Sequence, residues 1–247
     1  MKAIILAAGR GSCMEEATKD LPKCMMKLSK KTLIAHLMDS LRKAGFGASD
    51  IGIVTGYKQE KINIEGVHYF HNSEWERTNM FYSLMMADEW LRNDECIVCY
   101  SDIYTTQSTI EVLKKGAGDI TITSYADFLQ LWQLRFENPL DDLETFKVKG
   151  KSLVEIGRKP TSLSEIQGQF MGFLRFTPKG WGIVLEVIRK DMHKPVEKLD
   201  MTSLLQHLVA AGYEIEVLVT YDLWLECDNQ NDIRVYEEYF CKAHTSK

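Results

Sequence analysis

The sequence predicts an α/β fold: a Rossmann-like, doubly wound and mostly parallel sheet with a small antiparallel lid over its carboxyl edge. Through the first half of the chain, short apolar runs alternate with stretches of helical periodicity. This alternation is typical of parallel strands joined by right-handed crossover helices. From about residue 131, short runs separated by Asn, Gly and Pro replace the alternation, which favours antiparallel strands. The 247 residues suffice for a single domain, with a first half of about 1–130 and a second part of about 131–225.

The elements of the first half follow from the spacing of apolar residues. Leu33, Leu37 and Leu41 share one face of a predicted helix over 32–44, and Gly45 ends that helix. Apolar runs predict buried strands at 3–8, 51–54, 67–70, 96–100 and 119–125, and periodicity predicts further helices at 80–91 and 108–115.

In the second part, shorter runs predict strands over the mouth of the sheet. Trp132, Leu134 and Phe136 alternate with polar residues, which predicts a strand over 132–136 with one apolar and one polar face. Other predicted strands are 145–148, 153–156, 170–176, 214–219 and 224–227, and predicted helices are 179–191, 202–211 and 231–240.

Composition excludes several classes of function. A net charge of −5 argues against a protein that binds nucleic acid through phosphate attraction. No apolar run reaches the roughly 20 residues of a membrane span, and the N-terminal run is too short for a signal peptide. Cys96 and Cys99 form a C-x-x-C pair, but they lie in an apolar run and no second ligand pair follows. We therefore expect core cysteines and a cytoplasmic protein that contacts neither nucleic acid nor membrane.

A glycine loop follows the first predicted strand. Gly9 and Gly11 come directly after the run 3–8, and the pair Pro22-Lys23 follows twelve residues after Gly11. Such a loop exposes backbone N–H groups to a polyanion, and a lysine adds a point charge that reaches phosphates. Met14 occupies the third position of the G-x-G-x-x-G pattern and no Walker motif is present, so a plain strand-turn remains the alternative.

The fuller string resembles the signature of the nucleotidyltransferases that activate sugar phosphates and small phosphorylated alcohols. The matching residues are Leu6, Ala7, Ala8, Gly9, Gly11, Ser12, Met14, Thr18, Asp20, Pro22 and Lys23. The resemblance implies attack of a substrate phosphate on the α-phosphorus of a nucleoside triphosphate, with pyrophosphate leaving. It also implies that Lys23 is catalytic and that the backbone from Ala8 to Ser12 holds phosphates and part of the base.

Two carboxylates are candidate metal ligands. Asp102 and Asp228 each follow a predicted strand, at the edge where open α/β sheets bind ligands. Together they could hold Mg²⁺ against phosphate oxygens, and the resemblance implies the same roles. Asp232 is an alternative that helix geometry could turn outward, and a helix or turn cap is the structural alternative for Asp102.

One loop residue departs from the family pattern. Relatives usually carry an arginine where this sequence has Cys13, and that arginine contacts the leaving pyrophosphate. Arg10 or Lys19 could compensate, although a solvated loop charge is the alternative for Arg10. We also expect nucleotide contacts from Cys13 itself and from three residues that follow strands, Gly56, Tyr57 and Ser101.

The segment 72–84 resembles that of bacterial phosphocholine and phosphonate cytidylyltransferases. Asn72, Asn79 and Ser83 carry this likeness, which implies that Asn79 and Ser83 hold the nucleotide. A helix cap at Asn79 is compatible with that role. For the acceptor we predict contacts from four residues: Trp132, Arg135, Lys159 and Gln169. A polar strand face turned to the cleft would favour a zwitterionic acceptor, whereas aromatic residues would favour trimethylammonium or simply fill the core.

The resemblance thus implies Mg²⁺-dependent transfer of CMP from CTP to a small phosphorylated or phosphonate acceptor, for surface polysaccharide modification. The alternatives are a sugar-1-phosphate nucleotidyltransferase that uses UTP or dTTP, and a nucleotide-binding pseudoenzyme, which the residue Cys13 suggests. A homodimer is an open alternative to a monomer.

Overall fold

A mixed β-sheet with helices on both faces forms the frame of the protein. The computed structural model describes residues 1–11, 18–191 and 195–245, without the side chains of 191 and 240–245. The strands are β1 (Lys2–Ala7), β2 (Lys27–Leu28), β3 (Lys31–Thr32), β4 (Ile51–Thr55), β5 (His68–His71), β6 (Cys96–Tyr100), β7 (Ile103–Thr105), β8 (Ile120–Tyr125), β9 (Phe146–Lys149), β10 (Ser152–Ile156), β11 (Gln169–Phe176), β12 (Glu216–Thr220) and β13 (Trp224–Glu226). The helices are α1 (Leu33–Lys43), α2 (Met80–Met85), α3 (Asp88–Asn93), α4 (Gln107–Lys114), α5 (Phe128–Arg135), α6 (Pro178–Asp191), α7 (Met201–Ala210) and α8 (Gln230–Thr245).

Within the described residues, the main sheet has nine strands in the order β5-β4-β1-β6-β11-β8-β12-β10-β9. Strands β5, β4, β1 and β6 are parallel to one another, and β8 is parallel to β12. Strand β11 runs antiparallel between β6 and β8. The carboxyl ends of the parallel strands therefore meet at one edge, as the sequence predicts.

The first strand shows why both faces of the sheet are covered. Ala3, Ile5 and Ala7 pack into one hydrophobic cluster with α1, whereas Ile4 and Leu6 pack into a second cluster with α2 and α7. Successive side chains of a strand point to opposite faces, so a continuous apolar run requires two apolar layers. Each fully buried Ile or Leu contributes about 1.5–3 kcal/mol to the free energy of folding.

Local signals place the first helix as predicted. The hydroxyl of Thr32 accepts a hydrogen bond from the Ala35 N–H at 3.3 Å and caps the start of α1. Gly45 has a φ of +92°, and the N–H groups of Gly45 and Phe46 donate to the carbonyls of Arg42 and Leu41. This Schellman arrangement satisfies the last carbonyls and ends the helix.

The predicted strand over 132–136 is wrong, because these residues belong to α5 and its end. The buried side chains are Phe128, Leu131, Trp132 and Arg135, whereas Leu134 is 45% exposed. That spacing of three, four and seven residues is the period of a helix. Five alternating residues are too few to separate a strand from a helix when the apolar positions before them are ignored.

The strands predicted at 145–148, 153–156 and 170–176 are confirmed as β9, β10 and β11, but they belong to the main sheet and do not form a separate layer over its mouth. The predicted helix over 80–91 is divided into α2 and α3. Strands β9 and β10 form an antiparallel hairpin, and β10 joins the main sheet through the pair Ser152–Glu216. Strand β13 pairs with β7 in a separate two-stranded antiparallel sheet. A strand at the position of β7 was not predicted from the sequence.

Cys96 and Cys99 are core cysteines, as predicted. Both are fully buried, and their side chains enter different hydrophobic clusters on opposite faces of the sheet. Burial raises the pKa of the Cys96 thiol to about 12. The two thiols therefore cannot act as a redox pair or bind one metal ion. In the described part of the chain, no helix is both long and apolar enough to cross a membrane.

Candidate active site

The pairing of β7 with β13 brings the two predicted carboxylates together. Glu226 lies opposite Ile103, and the Cys227 N–H donates to the Asp102 carbonyl oxygen at 2.9 Å. Asp102 immediately precedes β7 and Asp228 follows β13 by two residues. A short antiparallel ladder therefore places residues from distant parts of the chain at the carboxyl edge of the main sheet.

The ammonium of Lys23 lies between these carboxylates. Its Nζ atom is 2.5 Å from Asp102 Oδ2 and 2.9 Å from Asp228 Oδ1. The Lys23 side chain is 15% exposed and that of Asp102 is 17% exposed. Because two carboxylates converge on one cation, this position attracts positive charge strongly.

The charges of this trio are mutually reinforcing. Burial by itself would lower the pKa of Lys23, but the Asp102 and Asp228 carboxylates hold it above its ordinary value. Burial by itself would raise the pKa of Asp228, but Lys23 and Arg135 hold it below its ordinary value. Lys23 and Asp228 are therefore both charged at neutral pH.

The glycine loop packs directly on Lys23. Gly11 has a φ of +72°, and a Cβ atom at this position would lie 2.7 Å from the Cβ of Lys23. The Thr18 hydroxyl donates to the Gly11 carbonyl at 2.9 Å. A side chain at position 11 would push the lysine away from its carboxylates, so the sequence needs a glycine here.

A cavity at the carboxyl end of β1 is the first of two neighbouring cavities, and it collects most of the predicted nucleotide contacts. It is lined by Leu6, Ala8, Gly9, Gly11, Lys23, Trp75, Thr78, Asn79, Met80, Ser83, Tyr100, Ser101 and Asp102. Asn79 also accepts a hydrogen bond from the Met80 N–H at the start of α2, so its cap and lining positions coexist. The Ser83 hydroxyl accepts a hydrogen bond from the Asn72 amide at 3.0 Å, which fixes the side of the cavity formed by α2.

The other residues predicted to contact the nucleotide either do not line the first cavity or lie outside the described residues. Ala7 is buried in the cluster on the opposite face from Leu6 and Ala8. The Tyr57 N–H donates to the Ala8 carbonyl at 3.0 Å, and the Arg10 guanidinium lies over its ring at 5.7 Å. Gly56 packs against Trp75. Gly56, Tyr57 and Arg10 do not line the first cavity, so their predicted nucleotide contacts stay predictions. Ser12 and Cys13 lie outside the described residues, and their roles stay predictions.

The second cavity lies next to the first and shares Tyr100 with it. It is lined by Tyr100, Trp132, Asp142, Glu144, Gln169, Phe170, Gly172, Thr202, Glu226 and Asp228. Four of these residues carry carboxyl groups. Burial and the nearby Asp200 and Asp142 raise the pKa of Glu144 above its ordinary value. Burial and Asp228 raise the pKa of Glu226. The cavity therefore gathers carboxyl groups whose burial and mutual proximity favour the neutral form of Glu144 and Glu226.

The four residues predicted to contact the acceptor lie in different environments. Trp132 and Gln169 line the second cavity, and the Gln169 amide donates to the Glu144 carbonyl at 2.8 Å. Lys159 is exposed and donates to the Asp141 carbonyl. The Arg135 side chain has no exposed area and lies behind the cavity wall. The structure therefore does not support the predicted contact between Arg135 and an acceptor, which depended on a strand over 132–136.

Asp232 turns inward, contrary to the outward orientation considered from the sequence. It is 1% exposed, and its Oδ2 accepts hydrogen bonds from the N–H groups of Asp228 and Asn229. Its own N–H donates to the Asn229 side chain at 3.0 Å. This reciprocal pair is a capping box at the start of α8, which explains the inward direction.

The carboxylates fit a divalent cation shared with a phosphate ligand. Within the described ranges, no group of three or more His, Cys, Asp or Glu residues could hold a metal ion. Asp102 and Asp228 nevertheless converge on one cation position, and Asp102 Oδ1 is buried without a hydrogen-bond partner among the described residues. Mg²⁺ is commonly held by one or two carboxylates, with phosphates and water completing its coordination.

Sequence reasoning missed several lining residues. Glu144 lies in a loop before β9, where no periodic pattern marks it. Glu226 was missed because Asp228, two residues later, was predicted as the functional carboxylate of that segment. Thr78 and Tyr100 flank residues that were predicted. Glu226 could have been found because it lies two residues before Asp228, whereas no sequence signal marks Glu144.

The sheet, the glycine loop and the bridged carboxylates have the arrangement of an α/β protein that binds its ligand at the carboxyl edge of the sheet. Residues 3–155, more than half of the chain, match the MobA-like NTP transferase domain family. The chain belongs to this family and is a nucleotidyltransferase.

Individual relatives agree with this assignment. The chain is 31% identical to the CTP:phosphoglutamine cytidylyltransferase of Campylobacter jejuni, with 96% of this chain and 100% of the relative covered. It is 36% identical to the choline-phosphate cytidylyltransferase of Streptococcus pneumoniae over 39% of this chain and 43% of the relative. The inositol-1-phosphate CTP transferase of T. maritima has the same fold, with a TM-score of 0.73, 20% identity and coverage of 96% of this chain and 93% of that one.

Proposed function

We propose that the protein transfers CMP from CTP to a small phosphorylated or phosphonate acceptor that carries an ammonium group, and releases pyrophosphate. The observation that carries this proposal is the position of Lys23, between Asp102 and Asp228, where the first cavity meets the acidic second cavity. The phosphocholine, aminoethylphosphonate and amino-acid phosphate classes of acceptor all combine an anion with a cationic nitrogen. The product would be a CDP- or CMP-linked compound for surface polysaccharide modification.

The proposed reaction requires little covalent chemistry from the protein itself. The acceptor oxygen is already an anion, so it attacks the α-phosphorus without a general base, and the bond to the pyrophosphate oxygen breaks. The protein must bring two anions into line and neutralise the developing charge. Lys23 supplies a fixed positive charge, while the loop around Gly9 and Gly11 offers backbone N–H groups.

A divalent cation, which we propose to be Mg²⁺, would be held by Asp102 and Asp228. When bound, it neutralises triphosphate oxygens and acts as a Lewis acid. The ammonium of Lys23 now satisfies these carboxylates. The flexible side chain of Lys23 would allow its ammonium to turn towards a phosphate when the Asp102 and Asp228 carboxylates hold a divalent cation.

The second cavity supports an acceptor with a cationic end. Glu144 and Glu226 are carboxyl groups whose pKa values burial raises, and a bound ammonium would relieve that unfavourable state. Phe170, which is only partly buried, adds an aromatic ring of the kind that attracts cations. The two relatives above act on phosphoglutamine and choline phosphate, which both carry a nitrogen cation.

Pyrophosphate release tests the proposal directly. The protein is incubated with Mg²⁺, each of the common nucleoside triphosphates, and a panel of phosphocholine, aminoethylphosphonate, amino-acid phosphates and glucose 1-phosphate. We expect release of pyrophosphate with CTP and an acceptor that carries a cationic nitrogen. Release with UTP or dTTP and the sugar phosphate would establish the alternative reaction. Binding of CTP without release for any acceptor would establish a pseudoenzyme.

We place this reaction in the cytoplasm, where CTP is available and where the free buried cysteines of the described residues stay reduced. Light scattering would show whether the protein forms a homodimer in solution.

A further inference from the structure

Arg135 is a buried cation that contacts three carboxylates beneath the second cavity. Its Nη2 donates to Asp228 Oδ2 at 2.7 Å. Its Nε and Nη2 donate to the two carboxylate oxygens of Asp232 at 3.0 and 3.1 Å. Its Nη1 lies 3.5 Å from Glu226 Oε2. Carboxylates therefore engage Nε and Nη2 by hydrogen bonds, whereas Nη1 is buried and has only the ion pair with Glu226 among the described residues.

Two aromatic rings also lie close to the guanidinium. The rings of Trp132 and Phe136 each lie 5.1 Å from its central carbon. Arginine stacks on aromatic faces and presents its donors in a rigid plane. Trp132 and Phe136 lie close to Arg135 in the sequence. The segment formed by α5 and its end therefore orients the Arg135 guanidinium.

The partner Asp232 is equally rigid. It lies in the first turn of α8, and its Oδ2 accepts the N–H groups of Asp228 and Asn229 at 2.9 and 3.1 Å. The same carboxylate thus holds the backbone of Asp228 and the guanidinium that holds the Asp228 side chain. Both the main chain and the side chain of Asp228 depend on one buried pair.

The two carboxylate oxygens of Asp228 consequently have separate partners. Oδ2 is bound by Arg135, and Oδ1 lies 2.9 Å from the Lys23 ammonium in the phosphate site. We propose that Arg135 is a positioning residue, which holds Oδ2 of Asp228 so that Oδ1 is presented to the cation beside the nucleotide phosphates. This proposal rests on the proposed role of Asp228 as a ligand of a divalent cation.

A partner of this kind typically affects metal binding. Changing a group that orients a metal ligand costs about 10–100-fold in metal affinity or activity. The expected signature of losing Arg135 is therefore a weaker divalent-cation complex, and not a selective loss of acceptor affinity.

The test measures cation binding without turnover. Mn²⁺ replaces Mg²⁺, and its free concentration is followed by electron paramagnetic resonance in the presence of a non-hydrolysable CTP analogue. The variants are Arg135→Met, Arg135→Lys and Asp232→Asn. Arg175→Met is the matched control, because Arg175 is also buried and ion-paired, with Glu95 at 3.1 Å, but lies in β11 away from both cavities.

We expect Arg135→Met to weaken Mn²⁺ binding about 10–100-fold, with partial recovery in Arg135→Lys and a smaller loss in Asp232→Asn. Arg175→Met should lower thermal stability and leave Mn²⁺ binding unchanged. If Arg135→Met fails to fold, the other two variants decide the question. Weaker Mn²⁺ binding in Arg135→Lys and Asp232→Asn than in Arg175→Met would support the proposal.

Two results would overturn the proposal while leaving the proposed function intact. One is Mn²⁺ binding in the Arg135 and Asp232 variants that equals the Arg175→Met control. The other is unchanged Mn²⁺ binding with a raised KM for the acceptor, which would make Arg135 an acceptor contact. A wild-type protein that binds no Mn²⁺ with any nucleotide would overturn the proposed function as well, so the two failures are distinguishable.

Discussion

Lys23 and Asp228 are 205 residues apart in the sequence, yet the lysine Nζ lies 2.9 Å from the aspartate Oδ1. The contact joins the loop after the first strand to the start of the last helix. It exists because β7 and β13 pair beside the carboxyl edge, where Asp102 completes the bridge. The charge balance of the phosphate site is therefore a property of the whole fold.

Lys23→Ala should lower kcat by ~10²-fold or more, the usual effect of losing one stabilising electrostatic group. The KM for CTP should change less, because many other groups line the first cavity. Steady-state kinetics of pyrophosphate release would measure both parameters. Lys27→Ala is the control, since Lys27 is exposed and lies only four residues away. An unchanged kcat with a raised KM would reduce Lys23 to a binding role.

Asp102→Asn and Asp228→Asn should each abolish turnover at ordinary Mg²⁺ concentrations while the fold persists. Each change removes one of the two charges that attract a cation to this position. Turnover and circular dichroism would be compared with Asp39→Asn, which breaks a surface ion pair with Lys31. Near-normal turnover in both site variants would contradict the metal assignment.

Gly11→Ala should impair catalysis although the added group is a single methyl. Its Cβ would meet the Cβ of Lys23 at 2.7 Å, and a φ of +72° is unfavourable for alanine. We expect a lower kcat with a folded protein, measured by turnover and thermal melting. Gly182→Ala in α6 has open space around its Cβ and should leave turnover unchanged. Equal kinetics in the two variants would show that Lys23 does not depend on the loop.

Glu144→Gln should raise the KM for the acceptor about 10-fold or more and leave the KM for CTP unchanged. The substitution removes a carboxylate that would pair with the acceptor ammonium, and hydrogen bonds to charged groups contribute about 1.5–3 kcal/mol. Glu137→Gln is the control, because Glu137 is exposed and outside the second cavity. A rise in the KM for CTP instead would place Glu144 on the nucleotide side.

Glu155 should stabilise the hairpin in a pH-dependent manner. Hydrogen bonds from Arg158, Thr145 and Lys147 lower the pKa of Glu155 to about 2 from 4.5. A group whose pKa is lower in the folded state contributes stability above its unfolded pKa and loses it as the pH falls towards the folded value. Urea unfolding should therefore show wild type more stable than Glu155→Gln at pH 6, with the difference shrinking from about pH 4.5 towards pH 2. A difference independent of pH would show that the carboxylate charge is not responsible.

Much of the fold could be predicted because its signals are local. Gly45 ends α1 through its own backbone conformation, and the apolar run of β1 requires cover on both faces. The meeting of Asp102 and Asp228 was predicted as well because both follow predicted strands, although β13 belongs to a separate two-stranded sheet.

The remainder depends on long-range packing. Nothing local assigns β7 and β13 to each other, because each has only three residues. The helix that carries Trp132 and Arg135 was mistaken for a strand over a window too short to show its period. With a strand, Arg135 was expected in the cleft, whereas the helix turns it towards Asp232.

The bridge between Lys23 and Asp228 also has a consequence for how the protein is made. A nascent chain emerging from the ribosome acquires β1, the glycine loop and Lys23 early, and Asp102 follows. Asp228 and the Asp232 anchor arrive only when the start of α8 has been synthesised. A chain that ends before that point lacks the second carboxylate of the Lys23 bridge. The proposed cation site is therefore completed only late in translation.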